Sequence, residues 1–361
     1  MDSVWHFEWA HGAFDLHARG GMLGGVAFFN GARVIRPFYE PPWLGEPAAR
    51  PDGLLGVMRS EFPCVPFGVP YAHTGLPEDG LADGWRDALA PPVAADGVRD
   101  VHGVHIMHDA PLDASDDLQH GYGCIADWTC VRRTSHDIEI ALDYPAGSPI
   151  ARVTRTIRAD PHRAALEFVL RIDARTAARR PAGLHPNLAL PSLAGAFRIE
   201  PGAFRFGVVH PGGPEPGVSQ GRPGATFETL DRVPLTDGGY RAFDRLPFTD
   251  ATEEIVQLCG IDGGVTLHDE VAGTAYRLTW DAAVLPSLLL WISNRGRTHA
   301  PWNGRNLCVG VEPVASAFEL GCQASLAPNP INARGVATAL TLDPARPLEI
   351  AYRFDVLDAL E

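Results

Sequence analysis

Lysine does not occur anywhere in this 361-residue chain; every one of the 30 Lys plus Arg side chains is an arginine. That absence excludes lysine Schiff-base chemistry and the phosphate-binding lysine of a P-loop. Positive charge is scarce altogether, because 44 acidic residues give a formal net charge of -14 at pH 7. Nucleic acids and anionic membranes are held by basic patches, so neither is expected as a partner. Cysteine is sparse: Cys64, Cys124, Cys130, Cys259, Cys308 and Cys322 stand apart, without the C-x-x-C pairs of zinc sites. A chain this long does not need disulfide staples, and reduced, buried thiols are expected. No uninterrupted apolar stretch is long enough to span a bilayer. The opening MDSVWHFEWAHGAF has acids and histidines where a secretion signal has a basic start and an apolar run. A soluble, cytoplasmic protein, monomer or homodimer, is therefore expected.

Helical periodicity is weak as well, and strand patterns take its place. From Asp137 to Asp173, Ile138, Ile140, Leu142 and Tyr144 alternate with polar or small residues. A PAGSP turn, the run IARVTRTIRA, a DPHR turn and a second alternation through Leu166, Phe168, Leu170 and Ile172 follow. This pattern predicts an antiparallel meander of half-buried strands. Strand-like runs also occur at Phe14 to Ala18, Gly25 to Phe29, Ala275 to Trp280, Ser287 to Ile292, Leu307 to Val311, Ala337 to Leu342 and Leu348 to Phe354. Prolines in Met58 to Gly68 predict a rigid loop or edge segment carrying Arg59. Residues 70–115 are rich in Gly, Asp and Pro, with a short helix expected around Trp85 to Ala90. Turn signals recur without a linker, so the chain is expected to form one all-β domain, a large antiparallel β-sandwich over residues 1–361.

Several motifs invite chemistry and fail on context. Gly217-Val218-Ser219-Gln220-Gly221 matches a nucleophile elbow, but its Pro- and Gly-rich flanks predict a loop rather than a strand-turn-helix. Gly121-Tyr122-Gly123-Cys124-Ile125-Ala126 matches a dinucleotide fingerprint without the βαβ unit that gives it meaning. His102, His105 and His108 recur every third residue, a spacing that suits neither a helix face nor a strand face, so no metal site is expected there.

Three other stretches carry more. In NGRNLCVGVEPVASAFEL, Glu312 projects from the same strand face as Cys308 and Gly310, and Gly310 leaves room for a ligand beside the carboxylate. Pro313 is expected to end the regular pairing. Burial would raise the Glu312 pKa towards that of a working base; the plainer alternative is an ion pair with Arg305 or Arg295. In LHPNLALP, His185 sits in an apolar run beside Pro186, either as a satisfied core residue or as a working one. In QHGYG, His120 precedes glycines that would let the backbone crowd a bound molecule.

Taken in order, RSEFPCVPFG, QHGYG, the meander, LHPNLALP, LPSLLLW and VGVEP resemble the aldose 1-epimerase (galactose mutarotase-like) superfamily over most of the chain. The resemblance implies that supersandwich fold and a cofactor-independent enzyme that interconverts sugar anomers. It implies His185 as general acid towards the ring oxygen, Glu312 as general base on the anomeric hydroxyl, and His120, Arg59, Trp291 and Asn187 as sugar contacts. Trp128 is a second candidate platform for a sugar face. A carboxylate and a histidine can supply both proton transfers near neutral pH without metal or cofactor. A non-catalytic carbohydrate-binding protein of the same fold is the alternative. Whether the sugar is phosphorylated stays open.

Overall fold

The alternation over 137–173 becomes the adjacent strands Asp137–Asp143, Ile150–Ala159 and Ala165–Ala174 in a computed structural model that describes residues 3–46, 50–69, 74, 76, 80–89 and 112–357. They belong to a nine-stranded sheet that continues through Leu348–Leu357, Thr274–Trp280, Gly264–Asp269 and Phe197–Pro201. Its ladders are antiparallel. Ile140, Val153, Ile157, Phe168 and Leu170 fill the inner face, while alternate residues such as Val169 reach solvent. That one-sided burial makes the period-2 pattern legible.

An eight-stranded antiparallel sheet packs against this face. Its centre is Thr252–Cys259, Ser287–Asn294 and Leu307–Ala315, and its edge towards the site is Ala182–Leu184 and then Pro63–Cys64. Leu288, Leu290, Ile292, Val309 and Val311 point into the shared core. The other face, with Leu289, Trp291 and Cys308, is covered by a second apolar cluster built from Leu54, Met58, Phe62, Phe67, Trp302 and Phe318. A four-stranded sheet, Val4–Trp9, Gly12–His17, Met22–Asn30 and Arg33–Ile35, closes the shared core with Phe7, Phe14 and Phe28.

Two expectations change here. Pairing does not stop at Pro313, since the strand runs to Ala315 with Pro313 opposite Leu288. Val311 donates to the Pro186 carbonyl on the far side, and Pro313, two residues on, faces that same side. The missing N–H therefore falls at the break between Ala182–Leu184 and Asn187–Ala189 and removes no bond to Ser287–Asn294. The run at 337–342 is regular only over Leu340–Leu342, because Thr338 Oγ1 is tied to the Ser325 carbonyl (2.6 Å). Arg86–Leu89 is the short helix expected near Trp85. Ser219 sits in a loop and donates to the Glu253 carbonyl at 2.6 Å. His102, His105 and His108 lie outside the described residues. Among the described residues no helix is long and apolar enough to cross a membrane.

Candidate active site

Strand register explains how His185 meets a residue so distant in the chain. Gly183 pairs with Val314 and Asn187 with Gly310, with three residues between the partners on each strand, so His185 stands opposite Glu312. Opposite residues of an antiparallel pair share a face. His185 Nε2 lies 3.5 Å from Glu312 Oε1, with side chains only 6% and 2% accessible. Neither Arg305 nor Arg295 pairs with this carboxylate; Arg305 is engaged with Glu46 at 2.6 Å. Phe62 stacks on the His185 ring at 4.6 Å, and its carbonyl accepts the His185 N–H (2.9 Å). Trp291, opposite Gly310, meets the same imidazole edge-on at 5.9 Å.

His185, Glu312 and Trp291 line a cavity of about 480 Å³. His120 enters from a turn in which its own φ is 55° and that of Gly121 is 87°. A Cβ on Gly121 would lie 2.1 Å from the Val65 carbonyl oxygen, so this glycine crowds the protein's own backbone rather than a ligand. The His120 ring stands perpendicular to that of His185, with centroids 5.1 Å apart. Trp302 and Arg297 line the cavity beside Trp291, the guanidinium 4.9 Å from the Trp302 ring centre and the two indole centroids 6.0 Å apart. Arg297 is balanced by Glu253 (3.2 Å) and Glu215 (3.3 Å). The fully buried Glu253 also accepts from Trp291 Nε1 (2.6 Å) and Ser293 Oγ (3.0 Å), so one carboxylate fixes both the ring and the guanidinium.

Known structures with this arrangement of sheets cover nearly the whole chain. A provisionally named aldose 1-epimerase from Escherichia coli K12 is 14% identical, covers 99% of this chain and 99% of its own, and superposes with a TM-score of 0.61. A GalM/aldose epimerase homologue from C. elegans is 12% identical, with 99% of both chains covered and a TM-score of 0.60. A galactose mutarotase related enzyme from Lactobacillus acidophilus is 11% identical, with 99% of each chain covered and a TM-score of 0.55. The fold is that of the galactose mutarotase-like structures. No family model matches the sequence, and no curated protein does.

Within this mutarotase-like fold, His120, His185, Trp291 and Glu312 line one cavity, whereas Arg59 and Asn187 are not among the lining residues. Arg59 turns to Glu40 (3.3 Å), and its carbonyl accepts from Asn187 Nδ2 (3.0 Å). Asn187 is a paired residue of the strand beside Gly310 and is 1% exposed. Trp128 belongs to the core, donating to the Gly123 carbonyl at 2.9 Å. Arg297, Trp302, Glu215 and Glu319 also line the cavity, although nothing in their local sequence separates them from ordinary loop residues. Among the described residues no cluster of His, Cys, Asp or Glu is arranged to hold a metal.

Burial sets the protonation of the central pair. It pushes the Glu312 carboxyl well above the usual carboxylate range, helped by the charge of Glu319. It pushes His185 well below the usual imidazole range, helped by His120. His120 itself is pushed down to about 4, again by burial. Burial therefore favours a neutral pair holding one proton. His120 Nδ1 and Glu319 Oε2 are buried without a hydrogen-bond partner within the protein. A cavity lined by tryptophans, imidazoles and carboxylates suits a ligand bearing both apolar faces and hydroxyls.

Proposed function

We propose that the protein is a cofactor-independent sugar anomerase, an isomerase of the aldose 1-epimerase kind. The observation that carries this reading is the contact of His185 Nε2 and Glu312 Oε1 at 3.5 Å in the wall of an open cavity. A cyclic hemiacetal carries its anomeric hydroxyl and ring oxygen on one carbon. An acid and a base that serve both must themselves be close neighbours, as these two are.

With the one shared proton on His185, Glu312 takes the proton of the anomeric hydroxyl and His185 gives its own to the ring oxygen. The ring opens, the aldehyde turns about the adjacent carbon–carbon bond, and the two groups return the protons to close the other face. Once the ring is open, Glu312 holds the proton and His185 is neutral. That is the state the buried pocket favours. Proton transfers of this kind contribute about a hundred- to ten-thousandfold each. Trp291 and Trp302 offer faces to the ring, and His120 offers a hydroxyl partner. Arg297 is the sole arginine among the described lining residues and is already balanced by two glutamates, which favours a neutral sugar over a sugar phosphate.

Polarimetry of freshly dissolved α-D-glucose and α-D-galactose tests the proposal. The wild type is expected to speed mutarotation, and Glu312→Gln and His185→Asn to lose at least about a hundredfold of that acceleration. Sugar binding by calorimetry without any acceleration would select the non-catalytic alternative.

A further inference from the structure

A second carboxylate reaches the cavity from the segment after Glu312. Glu319 is held by its backbone: its carbonyl accepts from Val69 N at 2.6 Å, and the preceding Phe318, at φ 52°, donates its N–H to Gln257 Oε1 at 2.8 Å. The side chain lines the cavity and retains 19% accessibility. Its Oε1 lies 3.1 Å from Nε2 of His210, a fully buried residue. Gly212 N donates to His210 Nδ1 at 3.3 Å, so a neutral ring carries its proton on Nε2, which approaches Glu319 closely without an aligned hydrogen bond. The other carboxylate oxygen, Oε2, is buried without a partner in the protein, so the accessible part of the side chain lies elsewhere on it.

We propose that Glu319, oriented by His210, accepts a hydroxyl of the bound sugar and so sets which neutral sugars the site takes; this rests on the sugar-site reading above. The two cavity carboxylates are thereby divided by environment. Burial pushes both up; at Glu319 the nearby His210, the residue's own backbone N–H and His120 together outweigh burial and hold that carboxyl below its usual range, while at Glu312 the charge of Glu319 adds to burial and the carboxyl stays high. An ionised carboxylate is the stronger acceptor. A site built to pair a hydroxyl discriminates sharply against the analogue lacking it, because its own group is then left unpaired. The same negative charge raises Glu312, whose other neighbours are His185 and the buried thiols of Cys64 and Cys308.

The test compares the wild type with Glu319→Gln, which preserves shape and removes charge, using D-glucose, D-galactose and the 2-, 3-, 4- and 6-deoxyglucoses. For the wild type one deoxy sugar should bind about ten- to a hundredfold more weakly than glucose by calorimetry, and Glu319→Gln should erase most of that difference. In polarimetry the variant should raise KM more than it lowers kcat and move the alkaline limb of activity to lower pH. Should Glu319→Gln fold poorly, Glu319→Asp keeps the charge but shortens its reach, and the same deoxy penalty should fall. An unchanged deoxy penalty in a folded variant overturns the proposal. If the wild type binds sugars without accelerating mutarotation, the catalytic reading fails while the calorimetric comparison still decides the role of Glu319. If it binds no sugar, both fail.

Discussion

The carboxylate of Glu312 occupies the space that a side chain on Gly310 would need. A Cβ built there would lie 2.3 Å from Glu312 Oε1 and 3.3 Å from Trp291 Cβ. The room beside the carboxylate is thus taken by the carboxylate itself rather than by a ligand. Gly310→Ala should turn Glu312 away from His185 and lower kcat about a hundredfold, the usual cost of misplacing a reacting group by an ångström. The melting temperature should move little, because the end of a side chain yields rather than the backbone. Full activity in this variant would show that the position of Glu312 does not matter.

The acid limb of activity should lie below pH 6.5, where an ordinary histidine titrates. The working state is a pair with one proton. His185 is pushed below 6.5 and Glu312 above 4.5, so the pair gains its second proton below the usual imidazole range and loses its single proton above the usual carboxylate range. A kcat profile by polarimetry reads this directly. An acid limb centred at 6.5 would mean that His185 titrates as if exposed.

Folding stability should fall as pH drops from 6.5 towards 4, in part because of His120. Its folded pKa of about 4 lies below the ordinary 6.5, so in that window the unfolded chain binds a proton that the native state refuses. The stability is complete above 6.5 and is lost as pH falls through the window. The difference between those values corresponds to about 3 kcal/mol at most. Urea unfolding at pH 7 and pH 5 should show a smaller drop for His120→Gln than for the wild type; equal drops would remove His120 from the account.

Glu61→Ala should destabilise the fold by about 3–5 kcal/mol, since it strands Arg155 in the core without a counter-charge. The two side chains form an ion pair with 0% and 2% exposure, and the Tyr352 hydroxyl donates to Glu61 at 2.8 Å. Replacing both charges, as Glu61→Leu with Arg155→Met, should cost less than the single change. Because Phe62 is the next residue and stacks on His185, Glu61→Ala should also slow catalysis. Chemical denaturation and polarimetry on the same samples would test both effects together.

The legible parts of the sequence are those where one face of a strand meets water. Ile138 to Ile172 alternates because the nine-stranded sheet has a dry side and a wet side. Thr252–Cys259, by contrast, is buried along its whole length. Its Glu253, Glu254 and Gln257 read as exposed, yet they are satisfied by Trp291, Ser293, Thr252 and the Ser316 carbonyl. A central strand was therefore hidden by polar residues whose partners come from elsewhere in the chain.

From residue order alone, the β character, the missing lysine chemistry and the short stretches around His120, His185, Trp291 and Glu312 could be read, because each rests on neighbours within a few positions. Long-range folding decided the rest. It set His185 opposite Glu312 through a shared register, sent Arg59 and Asn187 to structural partners, and brought Arg297, Trp302 and Glu319 to the cavity. Side chains drawn from separate loops share a wall only after the sheets have packed, and local periodicity carries no record of that meeting.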